Sequence, residues 1–350
     1  MSRTTKVLIG ILAISFCAAL VGHYVLHLFT VSFFTAATAL ILLSKFLGVG
    51  TESLAHHVGE HVAGFINVTL SNLAEIIIML VAVKAGKIAL VQAGIAGSIF
   101  GNLLLVMGLS IYLGCKRNGT MKLKPGITAL YINQFFLVGA TLFIPTMFND
   151  NIPEHRQLYL SYILAAMLLV AYIYYVVLAK RDSRLDEVKK QHEHIEHELS
   201  KKASIIVLVS TAIGAFFMSE ILVADVEHVA HSLHLSEGFI GFMLLPILGN
   251  IAEHAVAVTA ARKGMAELSL SISVGSASQV GMVVAPAAVL FGFLFGNPVT
   301  LHFSAQPLEL VILSFIGAFL VLHDNEWKQG EGAMLVAFYI AMLIGFAFTS

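Results

Sequence analysis

The sequence predicts an all-α polytopic membrane protein with eleven transmembrane helices, one helix followed by two inverted five-helix repeats. Of its 350 residues, 58% are hydrophobic and only 12% are charged, against about a quarter charged in a soluble domain. Roughly 20 apolar residues span a bilayer, and about eleven stretches of that kind follow one another. The third sign is an internal duplication. "NVTLSNLAEIIIMLVAVKAG" and "LLPILGNIAEHAVAVTAARKG" align without a gap, placing Asn72 on Asn250, Glu75 on Glu253, Lys84 on Arg262 and Gly86 on Gly264. The register continues into Gly97-Ser98 over Gly275-Ser276.

In chain order the spans are expected near 6–28, 31–54, 60–84, 88–114, 125–148, 157–180, 203–231, 238–262, 266–294, 302–322 and 331–349. The first follows the basic start "MSRTTK". A secretory leader begins in the same way, but this run is long, has no clean small-residue cut, and leads into further helices. Residues 1–30 therefore read as a retained first helix. Residues 31–180 form repeat one, 181–202 a polar cytoplasmic linker, and 203–350 repeat two. "TESLA" at 51–55 and "SEILV" at 219–223 mark matching ends of the first helix of each repeat, with a short insertion in "VADVEHVAHSLHLSEG". Gly, Pro, Ser and Asn inside several spans are tolerated where protein surrounds them. Cys17 and Cys115 supply neither a disulfide framework nor a metal motif. A net charge of -1 gives no basic field for nucleic acid.

Charge placement orients the chain. With a cytoplasmic N-terminus and eleven crossings, all of the 20 Lys and Arg residues except Lys84, Lys87 and Arg156 fall inside. The equivalent residues Lys84 and Arg262 then lie on opposite sides, so the copies are inverted. The linker "RDSRLDEVKKQHEHIEHELSKK" balances acids and bases, and its opposite charges at helical spacing suit a surface helix. A solvated connector is the simpler reading. The sharper one is a regulatory helix that takes up protons or metal at His192, His194 and His197.

Spacing of three residues puts Asn72 and Glu75 on one helix face, and likewise Asn250 and Glu253. A carboxylate in hydrocarbon is costly and is rarely there for packing. A lone glutamate could simply bridge helices, but a matched pair in inverted copies points to an ion site at a repeat interface. Hard oxygen ligands suit calcium, which takes six to eight of them. Unwound backbone carbonyls are expected to help, since "GFINVTLSN" and "PILGN", with Pro246 and Gly249, disfavour regular helix. No thiol lies near either motif, which leaves zinc and copper behind calcium, with manganese between. Like charge and desolvation both oppose an empty, ionised pair. Glu75 and Glu253 are therefore neutralised either by one divalent cation or by protons, and that exclusion is the basis of exchange.

The following helix of each repeat carries a second polar signal, Ser98, Gly101 and Asn102 in "GSIFGN", and Ser276 and Gln279 in "GSASQV". These side chains either hold helices together or orient and ligate the ion. His254, whose counterpart is Ile76, is a proton participant or a packed polar group. Glu52 and Glu220 are candidates for an approach vestibule, extended by Asp225, Glu227, His228, His231 and His234 in one repeat and by His56, His57, Glu60 and His61 in the other. An ordinary wet interface would place the same residues there.

"NVTLSNLAEII", "GSIFGNLLLVMGLS", "GNIAEHAVAV" and "ISVGSASQVGMVVAP" together resemble the calcium/proton exchanger family of the cation/calcium antiporter superfamily, in its prokaryotic form, over nearly the whole chain. The resemblance implies eleven helices and a proton gradient that drives calcium by alternating access. It assigns the essential glutamates to Glu75 and Glu253, motif asparagines to Asn72 and Asn250, serines to Ser98 and Ser276, and further roles to Gln279 and His254. Ser71 and Ala74 depart from the family's motif, as does the balanced linker. A sodium/calcium or sodium/proton antiporter is the alternative, although one acid per motif favours protons. An intramembrane metallohydrolase would need a fuller ligand set, and no HExxH occurs. A channel would draw a ligand ring from several subunits. The expectation is a transporter, not an enzyme, with no cofactor. Its partners are calcium ions, protons and the lipid bilayer, with a homo-oligomer compatible and nucleic acid not. The expected location is a prokaryotic plasma (inner) membrane.

Overall fold

The computed structural model describes residues 3–58, 70, 72–148, 152–179 and 199–348. Within them the chain is almost entirely helical. The helices are α1 Arg3–Tyr24, α2 Phe29–His56, α3 Leu73–Lys84, α4 Ile88–Asn118, α5 Pro125–Met147, α6 Glu154–Ala179, α7 Lys201–Leu233, α8 Glu237–Arg262, α9 Ala266–Phe295, α10 Ala305–Leu322 and α11 Gln329–Ala347. Every one except α3 is long and apolar enough to cross a membrane. The expected third span begins in residues outside the described ones, as do Glu60, His61 and the linker histidines His192, His194 and His197. A two-residue antiparallel ribbon, β1 Met121–Lys122 with β2 Glu326–Trp327, is the only sheet among the described residues.

Large apolar side chains such as Ile14, Phe136, Ile163, Phe293 and Met334 lie exposed. Water penalises such a surface and lipid solvates it, as expected of an integral membrane protein. Polar side chains on these helices satisfy themselves locally. The hydroxyls of Ser219, Thr141 and Ser278 donate to the carbonyls of Ala215, Leu137 and Val274 at 2.7, 2.7 and 3.1 Å.

The chain divides into two compact units, each drawing on both halves of the sequence. Unit one contains α1, α2, α3, the start of α4, α7, and α8 as far as Ala252. Within it α2 runs along α7, α1 lies on α2, and α3 packs on α7. Unit two contains the rest of α4, α5, α6, α8 from Glu253 onward, α9, α10 and α11. There α11 packs along the second half of α4, α9 against α6, and α10 against α5.

The duplication is visible in the backbone. Helix α3 ends at Lys84 and α8 at its aligned partner Arg262, while α4 begins at Ile88 and α9 at Ala266, again aligned. Between them Gly86 has φ 73° and Gly264 φ 81°, the left-handed region that glycine enters without strain. Both turns close with the same hydrogen bonds. Lys87 N–H donates to the Ala82 carbonyl and Met265 N–H to the Ala260 carbonyl, each at 3.0 Å, the usual glycine stop for a helix. Further on, α4 contains a wide π turn at Gly101–Val106 and α9 one at Val280–Val284, within one residue of the aligned position.

One local expectation is corrected. Helix α8 runs unbroken through Pro246 and Gly249 instead of unwinding before Asn250. Proline removes one N–H donor and the turns on either side remain closed, so surrounding protein keeps the helix intact. In the first copy Asn72 stands at the N-cap of α3.

The two glycine turns should be equally intolerant of a side chain. Gly86→Ala and Gly264→Ala should each destabilise the protein by about 1–2 kcal/mol, measured by thermal unfolding in detergent. Unchanged melting in either variant would contradict the shared-turn geometry.

Candidate ion site

In unit one the acidic motif is fully desolvated. Glu75 lies in the first turn of α3 among apolar residues and is 0% exposed. The Asn250 side-chain amide donates to Glu75 Oε2 at 2.9 Å. Gly249 lies against that acid. A Cβ there would meet the Glu75 Cβ at 3.1 Å and its Cα at 3.3 Å, so a side chain at this position would press α8 and α3 apart by a few tenths of an ångström. Asn72 is also buried, at the start of α3. The Asn250 side-chain oxygen is buried and finds no hydrogen-bond donor among the described residues. A buried amide oxygen without a donor is costly in a dry interior, and a hard cation is the partner it suits.

Unit two holds the second polar set. Ser98, Asn102 and Ser276 are all buried. The Asn102 amide donates to the Ser98 carbonyl at 3.0 Å and to the Ser276 hydroxyl at 3.4 Å. The structure therefore brings these three predicted residues together, one helix from each copy. The Asn102 side-chain oxygen, like that of Asn250, is buried without a donor among the described residues. Glu253, His254 and Gln279 are half-buried, and the His254 Nε2 atom is enclosed without a partner among the described residues. Glu253 continues the face of Asn250 one turn along α8. Asn102 sits within the first π turn and Gln279 immediately precedes the second. Such turns often accompany function, because they shift the face that a helix presents. Sequence reasoning missed them, since neither segment has a proline or charge signature unique to a π turn.

The vestibule candidates are distributed differently. Glu52 is half-buried on α2. Glu220 pairs with Lys84 at 3.2 Å, and Lys84 also stands 5.5 Å over the Phe216 ring. Lys87 bridges Glu227 and Glu237 at 3.0 and 3.1 Å, beside a cavity of about 320 Å³ lined by Glu227, His231, His234 and Glu237. Asp225 turns instead toward His23. Among the described residues, no group of three or more His, Cys, Asp or Glu side chains is arranged to hold a metal ion.

Burial alone would pull the Lys87 ammonium down, but hydrogen bonds and charge from Glu227 and Glu237 outweigh it and hold Lys87 above the ordinary lysine range. A raised folded-state value means stability that is fully present below the unfolded lysine value, about 10.4, and lost as pH rises through the folded value. Lys87→Gln should therefore flatten the alkaline limb of a melting-temperature profile taken above about pH 9. Parallel losses in the variant and the parent would show that the bridge contributes nothing.

Comparison with known proteins follows the same lines. A family model described as sodium/calcium exchanger protein matches residues 28–180 and 203–348. The Ca(2+)/H(+) antiporter of Aphanothece halophytica is 33% identical, covering 94% of this chain and 93% of the relative. The Ca(2+)/H(+) antiporter ChaA of Bacillus subtilis is also 33% identical, over 90% and 92%. The solved structure of the selenium-substituted Ca2+/H+ antiporter protein YfkE superposes with a TM-score of 0.83 at 28% identity, covering 98% of this chain and 99% of that one. A solved H+/Ca2+ exchanger CAX shares the fold, with a TM-score of 0.78 at 15% identity over 98% and 89% of the two chains.

Proposed function

Because this chain belongs to the sodium/calcium exchanger protein family, and is a membrane transporter and not an enzyme, we propose that it exchanges calcium for protons by alternating access. Glu75 and Glu253 bind the ion, and Asn72, Asn250, Ser98 and Ser276 complete its oxygen shell. Gln279 and Asn102 orient that shell, and His254 takes part in moving the proton. The observation that carries this reading is Glu75 itself, a fully buried carboxylate beside an amide whose oxygen has no donor. Such a pair is stabilised by an ion, or by a proton on the acid.

The exchange follows from charge. With calcium bound, two carboxylates offset its two positive charges. With calcium gone, protons must neutralise the same groups before the site can cross a poor dielectric. Calcium and protons thus compete for one pair of acids, and neither gradient runs down without the other. The relatives named as Ca(2+)/H(+) antiporters support this ion pair. Manganese, with the same taste for oxygen, is the second candidate cargo. The repeats 31–180 and 203–350 are inverted copies, joined by the cytoplasmic linker 181–202. The N-terminus lies in the cytoplasm of a prokaryotic cell, and Glu52 and Glu220 line the approach. The basic bias and the aligned turns support that arrangement.

Calcium uptake into everted vesicles under an imposed pH gradient, with a sodium gradient as control, tests the reading. Proton-driven uptake is expected, and uptake driven only by sodium would replace it with sodium/calcium exchange. Glu75→Gln and Glu253→Gln should each abolish uptake while the protein still inserts. Ser98→Ala, Ser276→Ala and the Asn→Ala variants should lose activity by degrees, since water replaces a neutral ligand in part. Near-normal transport in either glutamine variant would defeat the shared-carboxylate mechanism.

A further inference from the structure

We propose that Asp225 and His23 form a second proton-binding site, outside the duplicated motifs. Asp225 lies in α7, an apolar helix of 33 residues, and is 1% exposed. One carboxylate oxygen stands 2.7 Å from His23 Nδ1. The other accepts a hydrogen bond from the Ser32 hydroxyl. Three helices, α1, α2 and α7, therefore meet at one carboxylate, and no lysine or arginine pairs with it among the described residues. An ionisable group so placed in a membrane helix is seldom retained for packing.

The histidine gives the buried acid a route outward. The His23 side chain is 19% exposed, while that of Asp225 is 1%. Its ring is fixed by edge contacts with Tyr24 and Phe29, at centroid distances of 4.6 and 6.0 Å. Among the described residues, His27 and His228 flank the same Phe29 ring, at centroid distances of 6.1 and 4.1 Å. Glu227 is turned away to Lys87.

A proton enters in a balanced sequence. Neutral His23 donates its Nδ1–H to the Asp225 carboxylate. Water delivers a proton to Nε2, giving an imidazolium beside the anion. The Nδ1–H bond then breaks as an O–H bond forms on Asp225. The products are a neutral imidazole protonated at Nε2 and a neutral carboxylic acid that donates back to Nδ1. One proton has been taken up and one buried negative charge removed, a gain in a medium that penalises charge.

Any part played in transport rests on the exchange reading, but proton binding does not, and the two are tested separately. Infrared difference spectra of the purified full-length protein, between alkaline and acidic buffer, report protonated carboxyl groups through their C=O stretch. Asp225→Asn should lose one such band, and the Glu75→Gln/Glu253→Gln double variant should keep it. His23→Gln should move the pH at which that band rises, and it carries the test if Asp225→Asn fails to fold. In vesicles, His23→Gln should shift the pH profile of uptake while keeping the maximal rate within about twofold, or 0.4 kcal/mol. An Asp225→Asn spectrum identical to the parent's would overturn the proposal, as would a band unmoved in His23→Gln. Absence of calcium uptake in the parent protein would sink the exchange reading and leave these bands in place.

Discussion

Burial of the Glu75 carboxylate is the constraint around which the surrounding structure is arranged. A charge held out of water must be answered by hydrogen bonds, by a counterion or by a proton. Here the Asn250 amide supplies one donor, and it reaches Glu75 because Gly249 lets α8 come within van der Waals range of the α3 backbone. The geometry of two helices and the chemistry of one acid are thus tied to a single residue without a side chain. The other end of that amide, its oxygen, has no partner among the described residues. In a static protein that is wasteful. In the proposed exchange it would be useful, because the acceptor is already in place when a cation arrives and needs little reorganisation.

Much of this was legible from the sequence. Apolar length locates every helix but the third to within a few residues, because desolvating the backbone requires unbroken hydrogen bonding along each span, and the start of the third span lies outside the described residues. The ungapped alignment of the two motifs carries directly into structure: Gly86 and Gly264 take the same left-handed turn, and α4 and α9 begin at aligned residues. Ser98, Asn102 and Ser276, grouped from motif position alone, are hydrogen-bonded in the fold. The continuity of α8 through Pro246 was not legible. Local propensity argues for a break there, and tertiary packing overrides it. Nor were the π turns, which depend on how a helix accommodates its neighbours. His23 carries no signal at all in sequence, because its partner Asp225 lies in a helix far along the chain.

The two motifs are equal in sequence but not in their surroundings. Asn72 caps the start of a helix, whereas Asn250 lies inside one. Glu75 is wholly buried, whereas Glu253 is half-buried. Duplication supplies two chemically equivalent acids, and a single conformation need not treat them alike. A repeat architecture offers the opposite arrangement by letting the copies trade environments. Only a neutral pair can make that trade cheaply, since a charge crossing a low dielectric is strongly opposed. Calcium satisfies the condition with two charges on one ion, and protons satisfy it with one on each acid. In the proposed exchange, the coupling of the two ions would follow from the desolvation of these carboxylates.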